Sequence, residues 1–544
     1  MSTNISKQKR EDLLAKIKEI RTFISAAPQD ENTGNLLSYL SDLEKDVNGK
    51  KYGLVFEEHR EEIDETLATH TPVLTEDADL YIANGGMMNF LIEGDNLASL
   101  RLIKKTHKGK VDLIYIDPPY NRGKKDFIYD DDYVENDDTF KHSKWVSFMK
   151  PRLLLAYDLL CKHGTIFISC DDNEVATLRL LCDEVFGDKS FQGHIHWRRR
   201  HNQPNDKNKL IGLVTEHILV YSKDPEELKK YGIGKIASTG NYSNPDNDPN
   251  GPWTTNPWKA ARGRGGCRYT ITTPTGKQLT ETWYGTEETF EKNLRDGRVH
   301  WTKGGNGIPR IKIYQHEAEQ QGQCANNWWN NTDYGCNQDA TDELKEIFNG
   351  VCPFDNPKPS KLIKIIIKLG SVNKNALVLD FFAGSGTTGD AILQLNAEDK
   401  NSSRRFILCT NNENNICRDI TYERIKRVVD KEGYSASLKY YKIDYIPIGD
   451  RMYYEYADEL LAHIRELIEL ENGINFTGNS EIGIVLTEDE LDEFIANADT
   501  FAKCRKLYMG HDLLPTEEQE QALKSHNIEI SIIPDYYYKD LQEA

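Results

Sequence analysis

The chain has 544 residues, of which 38% are hydrophobic and 28% charged, with a formal charge of −19 at neutral pH. That length allows roughly three or four domains with sizeable cores, and no apolar run reaches the ~18 residues that a membrane-spanning helix needs. So acidic a composition, taken alone, fits an acidic cytoplasmic enzyme. It does not exclude a local phosphate-binding surface. The charge is uneven: residues 191–320 carry 20 Lys+Arg against 14 Asp+Glu, and residues 441–544 carry 8 against 23. The ten cysteines include no Cys-x-x-Cys pair, which predicts reduced thiols without a disulfide frame or a zinc site. The first seven residues, Met1 to Lys7, are polar and then charged, without the apolar core of a signal peptide.

Residues 1–85 read as a helical N-terminal region. Leu13, Leu14, Ile17, Ile20 and Ile24, then Leu36, Leu37, Leu40 and Leu43, keep helical spacing. This predicts helices over 6–70 that bundle or form a dimerisation arm. A sheet is expected to begin at 89–93, followed by a Gly94 turn and a helix opening at Asn96 or Leu97. Two more strand–turn units follow, 111–117 and 164–172, the second fed by an amphipathic helix around 145–160. Strands alternating with helices predict parallel βαβ units, so 86–190 reads as one half of an α/β domain. Residues 191–350 are rich in Trp, Gly, Asn, Arg and Thr, with short alternating runs at 216–221 and 310–314, and read as an irregular α+β insertion. The α/β pattern resumes over 351–435, with helices at 361–369, 387–395 and 419–429 and strands at 377–381 and 406–410. A Tyr-rich strand over 438–446 and short α/β signals from 482 to 533 make 436–544 an acidic C-terminal α/β domain.

Two stretches concentrate the chemistry. Val-Asp-Leu-Ile-Tyr-Ile runs into Asp117-Pro118-Pro119-Tyr120-Asn121, and Leu-Val-Leu runs into Asp380-Phe381-Phe382-Ala383-Gly384-Ser385-Gly386-Thr387-Thr388. Each is an apolar run ending on an acid and breaking into a Pro- or Gly-rich turn, as buried parallel strands do at the carboxyl edge of an α/β sheet, where ligands bind. The glycine loop lacks the Gly-Lys-Ser/Thr of a phosphate loop, and Phe381-Phe382 stands where a dinucleotide loop has a small turn residue. Cys170-Asp171-Asp172-Asn173-Glu174 has metal-ligand composition but no nearby His; we read it as helix capping and site wall, and expect no metal ligands.

The pair resembles the motifs of amino-group DNA methyltransferases, with Asp-Pro-Pro-Tyr for the target base and Phe-x-Gly-x-Gly for S-adenosylmethionine. The catalytic motif comes first, as in the β class. The resemblance implies a circularly permuted Rossmann-like α/β fold with an inserted target-recognition region over 191–350. Asp117 and the Pro118 carbonyl would accept hydrogen bonds from adenine N6, Pro119 would fix the turn and Tyr120 would stack on a flipped base. Asp380, Phe382, Ala383, Gly384, Ser385, Gly386 and Thr387 would hold the methionine part of the cofactor. Asp95 and Asn96 match a Gly-Asp motif near its adenine, and Asn412 or Glu413 stands where the ribose acid is usual. For double-stranded DNA the candidates are Arg198, Arg199, Arg200, Arg262, Arg264, Arg268 and Lys303, with Trp253, Trp258, Tyr269 and Trp301 interleaved. Over roughly 50–445, including 142–152, 164–174, 182–187, 328–340 and 353–359, the chain is similar to Mod subunits of type III restriction-modification systems. That implies adenine-N6 methylation, a homodimer and a separate restriction subunit. A solitary or type II-like adenine methyltransferase and a cytosine-N4 methyltransferase are the alternatives.

Overall fold

Every residue of the strand Val111–Ile116 is buried, and the alternation of its side chains says how. Ile114 and Ile116 enter one apolar core with Leu100, Trp145, Met149 and Leu153, while Leu113 and Tyr115 enter another with Ile363, Ile366, Ile367 and Ile392. A parallel strand covered on both faces needs such a near-continuous apolar run. The computed structural model describes residues 5–26, 31–48, 56–123, 128–129, 132–133, 140–205, 207, 210–236, 240–448, 459–477, 479–510 and 513–533. Among these, the strand lies within a ten-stranded mixed sheet.

The sheet runs in the order His70–Glu76, Ala436–Pro447, Met87–Glu93, Arg405–Thr410, Leu377–Asp380, Val111–Ile116, Leu160–Cys170, Thr215–Ser222, Phe191–Arg198 and Trp328–Trp329. From Ala436–Pro447 to Leu160–Cys170 all pairings are parallel. The later segment Leu377–Thr410 is thus inserted between strands of the earlier one, which is the permuted α/β topology expected from the motif order. The helices sort by half. Asn96–His107, Lys141–Leu159 and Val175–Phe186 feed one core; Ser360–Gly370, Thr387–Glu398 and Glu423–Glu432 feed the other.

Several elements differ from the sequence expectation. The N-terminal helices give way at His70 to a strand that pairs antiparallel with Ala436–Pro447, so the sheet begins before residue 89. Its Pro72, which cannot donate to a ladder, sits on an edge strand as required. The boundaries drawn at 190/191 and 435/436 do not mark breaks in the sheet. Phe191–Arg198 and Thr215–Ser222 extend it antiparallel, and Ala436–Pro447 lies inside it. Outside it, Trp253–Pro257, Val299–Trp301 and Pro309–Tyr314 form a small sheet beside the hairpin of Cys267–Thr272 and Gln278–Trp283. Ile482–Val485, Lys506–Met509 and Glu529–Ile532 form a parallel sheet over a separate core of Val485, Leu491, Phe501 and Leu507. The helices Ile5–Ser25 and Glu31–Asn48 meet where Arg21 reaches Ser41 and Glu44. No helix among the described residues is long and apolar enough to cross a membrane.

One polar residue interrupts the Val111–Ile116 run. Asp112 accepts a hydrogen bond from the buried Leu377 amide at 2.9 Å, tying together the strands of the two halves. Asp112→Ala strands that amide without an acceptor and should cost about 1–3 kcal/mol. The loss should register as a lower urea midpoint; an unchanged midpoint would show that strand pairing does not need this contact.

Candidate active site

Leu377–Asp380 pairs parallel with Val111–Ile116, with Val378 opposite Leu113 and Leu379 opposite Ile114. The residues after each strand therefore emerge at the same edge. Asp117 to Tyr120 and the loop 381–386 come together there, as expected from their placement after apolar runs.

The Asp117 turn is held from several sides. Trp145 donates its indole N–H to the Pro119 carbonyl at 2.7 Å, and Asn121, in the left-handed region at φ 56°, donates to Glu174 at 2.6 Å and to the Lys141 carbonyl. No hydrogen bond to the Pro118 carbonyl occurs among the described residues. Tyr120 donates its hydroxyl to Asp117. Its ring is only 6% exposed and lies under the Arg122 guanidinium at 4.8 Å, so it offers no open stacking face in this state. Burial and the neighbouring Asp117 and Glu216 push the Tyr120 phenol well above its ordinary value and keep it a donor.

Lys358 is a site residue that sequence reasoning missed. The segment 353–359 stands out as a flank of the glycine loop, but this side chain does not. Its ammonium lies 2.6 Å from Asp117 Oδ2, 3.0 Å from the Tyr120 hydroxyl and 3.4 Å from Glu216. Burial alone would push it down, but the two carboxylates outweigh that and hold it above its ordinary value. A single Lys before Pro has no sequence signal of its own, and Glu216 sits in an apolar strand far from both motifs.

The glycine loop is built on Asp380. One carboxylate oxygen accepts from the Phe382 amide at 3.0 Å and the other from the Thr388 hydroxyl at 2.5 Å. Gly384 and Gly386 take φ of 49° and 75°, and a Cβ on Gly384 would lie 3.0 Å from the Phe354 ring. Ser385 and Thr387 are buried beside Arg424, which reaches Thr387 at 2.8 Å and Asp390 at 2.8 Å. Ala383 is buried, and the half-buried Phe382 leans on Phe148. Asn96 bridges the halves by donating to the Phe381 carbonyl at 3.2 Å and accepting from Arg152. Asp95 caps the helix Asn96–His107 through the Leu97 and Ala98 amides. Asn412 and the exposed Glu413 come after the strand next to Asp380; Asn412 accepts from the Arg418 amide.

The basic and aromatic candidates of the 198–303 stretch differ in exposure. The interleaved aromatic residues Trp253, Trp258, Tyr269 and Trp301 pack within the insertion. Trp253 is buried, and the other three pack against the Ile271–Trp283–Phe290 core. Arg199 pairs with buried Glu216 at 3.2 Å. Arg198 donates to the carbonyls of Arg200 and His201. Arg200, Arg262, Arg264, Arg268 and Lys303 are exposed. In the 170–174 segment, Asp171 pairs with Arg122 and Glu174 is fully buried against Asn121 and His142, which makes it a site wall.

These buried charges have two measurable consequences. Lys358→Met leaves Asp117 without its cation, while Glu216 keeps Arg199, and should cost about 3–5 kcal/mol of stability; a melting point equal to the parent would remove Lys358 from the site's support. Burial pushes the Asp380 carboxyl up to about 7, against its ordinary 3.8, despite the Thr388 and Phe382 hydrogen bonds. Because this pKa is raised on folding, Asp380 stabilises the fold fully below pH 3.8 and loses that contribution as pH rises through 7. Asp380→Asn, which cannot ionise, should therefore gain melting temperature relative to the parent between pH 4 and pH 8, whereas a constant difference would mean Asp380 does not titrate there.

A family model described as DNA methylase matches residues 111–423. The chain is 37% identical over 385 residues to the type III restriction-modification enzyme StyLTI Mod subunit of Salmonella typhimurium, covering 64% of this chain and 58% of that protein. It is 29% identical over 438 residues to the EcoP15I Mod subunit of Escherichia coli, covering 66% of each. It is also 32% identical over 388 residues to the type II methyltransferase M.KpnI of Klebsiella pneumoniae, covering 65% of this chain and 90% of that protein. The chain thus spans 58% to 66% of the length of these two Mod relatives.

Proposed function

From the premise that the chain belongs to the DNA methylase family, we propose that it transfers a methyl group from S-adenosylmethionine to adenine N6 in a short sequence of double-stranded DNA, as the modification subunit of a cytoplasmic type III restriction-modification system. The observation that carries this reading is the meeting of the Asp117–Tyr120 turn and the Asp380 glycine loop at the ends of two adjacent parallel strands. Similarity to two type III Mod subunits supports the system assignment. A homodimer and a separate restriction subunit belong to the same proposal. Leu13, Ile20, Phe23, Leu36, Tyr39 and Leu43, apolar yet exposed on the two N-terminal helices, suit the former.

The residues present fit the cofactor. Asp380 is a buried carboxyl beside a backbone cradle that a side chain at 384 would fill. Phe382 and Ala383 give the loop an apolar lining, and Asp95, Asn96, Asn412 and Glu413 offer acceptors at the same sheet edge for ribose and adenine. Bound there, the cofactor supplies a methyl group on a positively charged sulfur. The chain's own residues do the rest by orientation and electrostatics. Adenine N6 is a weak nucleophile because its lone pair is delocalised into the ring. Hydrogen bonds from its two N–H groups to the Asp117 carboxylate and the Pro118 carbonyl favour a pyramidal nitrogen with a localised lone pair. Lys358 holds Asp117 in place through the 2.6 Å contact of its ammonium with Oδ2. An adenine inside a duplex cannot reach this turn, so it must be flipped out. Tyr120 becomes a stacking surface only once Arg122 swings off its ring. Of the candidates for DNA, Arg200, Arg262, Arg264, Arg268 and Lys303 are open to phosphate; Arg199 fixes Glu216.

Methylation-aware long-read sequencing of DNA from a methylation-free host expressing this chain tests the reading. N6-methyladenine on one strand of one asymmetric motif is expected. Asp117→Ala should reduce it by at least about 10²-fold while the purified variant still binds S-adenosylmethionine. N4-methylcytosine would overturn the choice of base, and a palindrome methylated on both strands would overturn the type III assignment.

A further inference from the structure

We propose that His194, His196 and His217 bind one divalent transition-metal ion of the zinc type, on the face of the sheet opposite Glu216. Side chains two apart on a strand share a face, so His194 and His196 on Phe191–Arg198 point the same way. His217, on the antiparallel neighbour Thr215–Ser222, is the direct cross-strand partner of His196. The three imidazoles therefore converge, with one ring nitrogen from each within 4.8 Å of the others. His194 Nε2 and His217 Nδ1 are already 2.9 Å apart. Two nitrogens on a tetrahedral zinc, each at ~2.0–2.1 Å from the metal, lie roughly 3.4 Å from one another, so small ring rotations complete the set.

A second observation points the same way. His217 Nε2 lies 3.0 Å from Asp172 Oδ1. A carboxylate that takes the far N–H of a ligating histidine fixes its tautomer and turns its other nitrogen toward the metal. Here it turns His217 Nδ1 toward His194. Three imidazoles suit zinc among the common ions and leave a fourth position for water.

This site would not take part in methyl transfer. Along Thr215–Ser222, Glu216 faces Lys358 and Arg199, while the next residue, His217, faces away from them. An ion there would pin the register of the two strands beneath the Lys358–Asp117 pair and at the root of the 223–327 excursion. The sequence predicts no metal because the three histidines share no local ligand motif; only the strand pairing brings His217 to the other two.

The test uses the full-length protein without a metal-binding tag, stripped with chelator and titrated with Zn²⁺ by calorimetry, with bound metal counted by mass spectrometry. One saturable site and a raised melting temperature are expected. His194→Ala and His196→Ala, at half-buried positions that should tolerate truncation, should each abolish it. Asp172→Asn should weaken it by about 10–100-fold. His163→Ala and His201→Ala, which disrupt the other two possible ligand clusters, Asp112–Cys161–His163 and His201–Cys336–Asp339, should leave it intact. No saturable binding, or stoichiometry unchanged in both the His194 and His196 variants, would overturn the proposal.

Discussion

The site depends first on a single parallel pairing. Val111–Ile116 and Leu377–Asp380 are joined by the Asp112–Leu377 hydrogen bond between residues 265 apart in sequence. Parallel strands send their following residues in the same direction, so the Asp117 turn and the Asp380 loop open side by side. A slip of one residue in either strand would exchange its buried faces and carry Asp112 away from the Leu377 amide. The long segment between them must then leave the sheet and come back without disturbing this pair. It does so at the far edge, where Trp328–Trp329 closes against Phe191–Arg198.

The same joining of distant segments recurs in the buried ions. Arg152, on the helix beside the Asp117 turn, holds Glu61 and lies 3.5 Å from Asp95. Arg424, fully buried, holds Asp390 behind the glycine loop. Lys439 stands between Glu76 and Glu469, at 2.9 and 2.5 Å, and so ties the edge strand His70–Glu76 and the helix Ile464–Asn472 to its own strand. Buried pairs of this kind contribute little net stability over an apolar core, but losing one partner is costly. What they supply here is position, because each joins elements that local sequence does not connect.

That distinction explains what was legible in the sequence. The apolar runs into Asp117 and Asp380 are local patterns with a local cause, a buried strand meeting a turn, and both stand where the pattern put them. Gly384 and Gly386 were legible because a positive φ favours Gly. Lys358, Glu216 and Arg122 were not, because each matters through a partner contributed by another part of the chain. The strand His70–Glu76 was hidden for a similar reason: its pairing partner, Ala436–Pro447, lies at the other end of the domain. The aromatic residues of the 253–301 region, legible in sequence only as interleaved with basic ones, are used for packing, because a small subdomain with little core fills it with Trp and Tyr side chains.

Around Asp117 these non-local partners form a connected set. Three cations, Lys358, Arg122 and Arg199, face three carboxylates, Asp117, Glu216 and Asp171, with Glu216 touching all three cations at 3.4, 3.8 and 3.2 Å. The formal charges of these six side chains sum to zero, so their burial strips no net charge of water. It also makes Glu216 the hub. Removing Asp171 leaves Arg122 near a second carboxylate, and removing Arg199 leaves Glu216 with two cations. Removing Glu216 would leave Arg199 without its carboxylate and Lys358 with Asp117 alone, so that Lys358 would pull more strongly on Asp117. The strand that carries Glu216 therefore sets how available Asp117 is, although it belongs to neither motif.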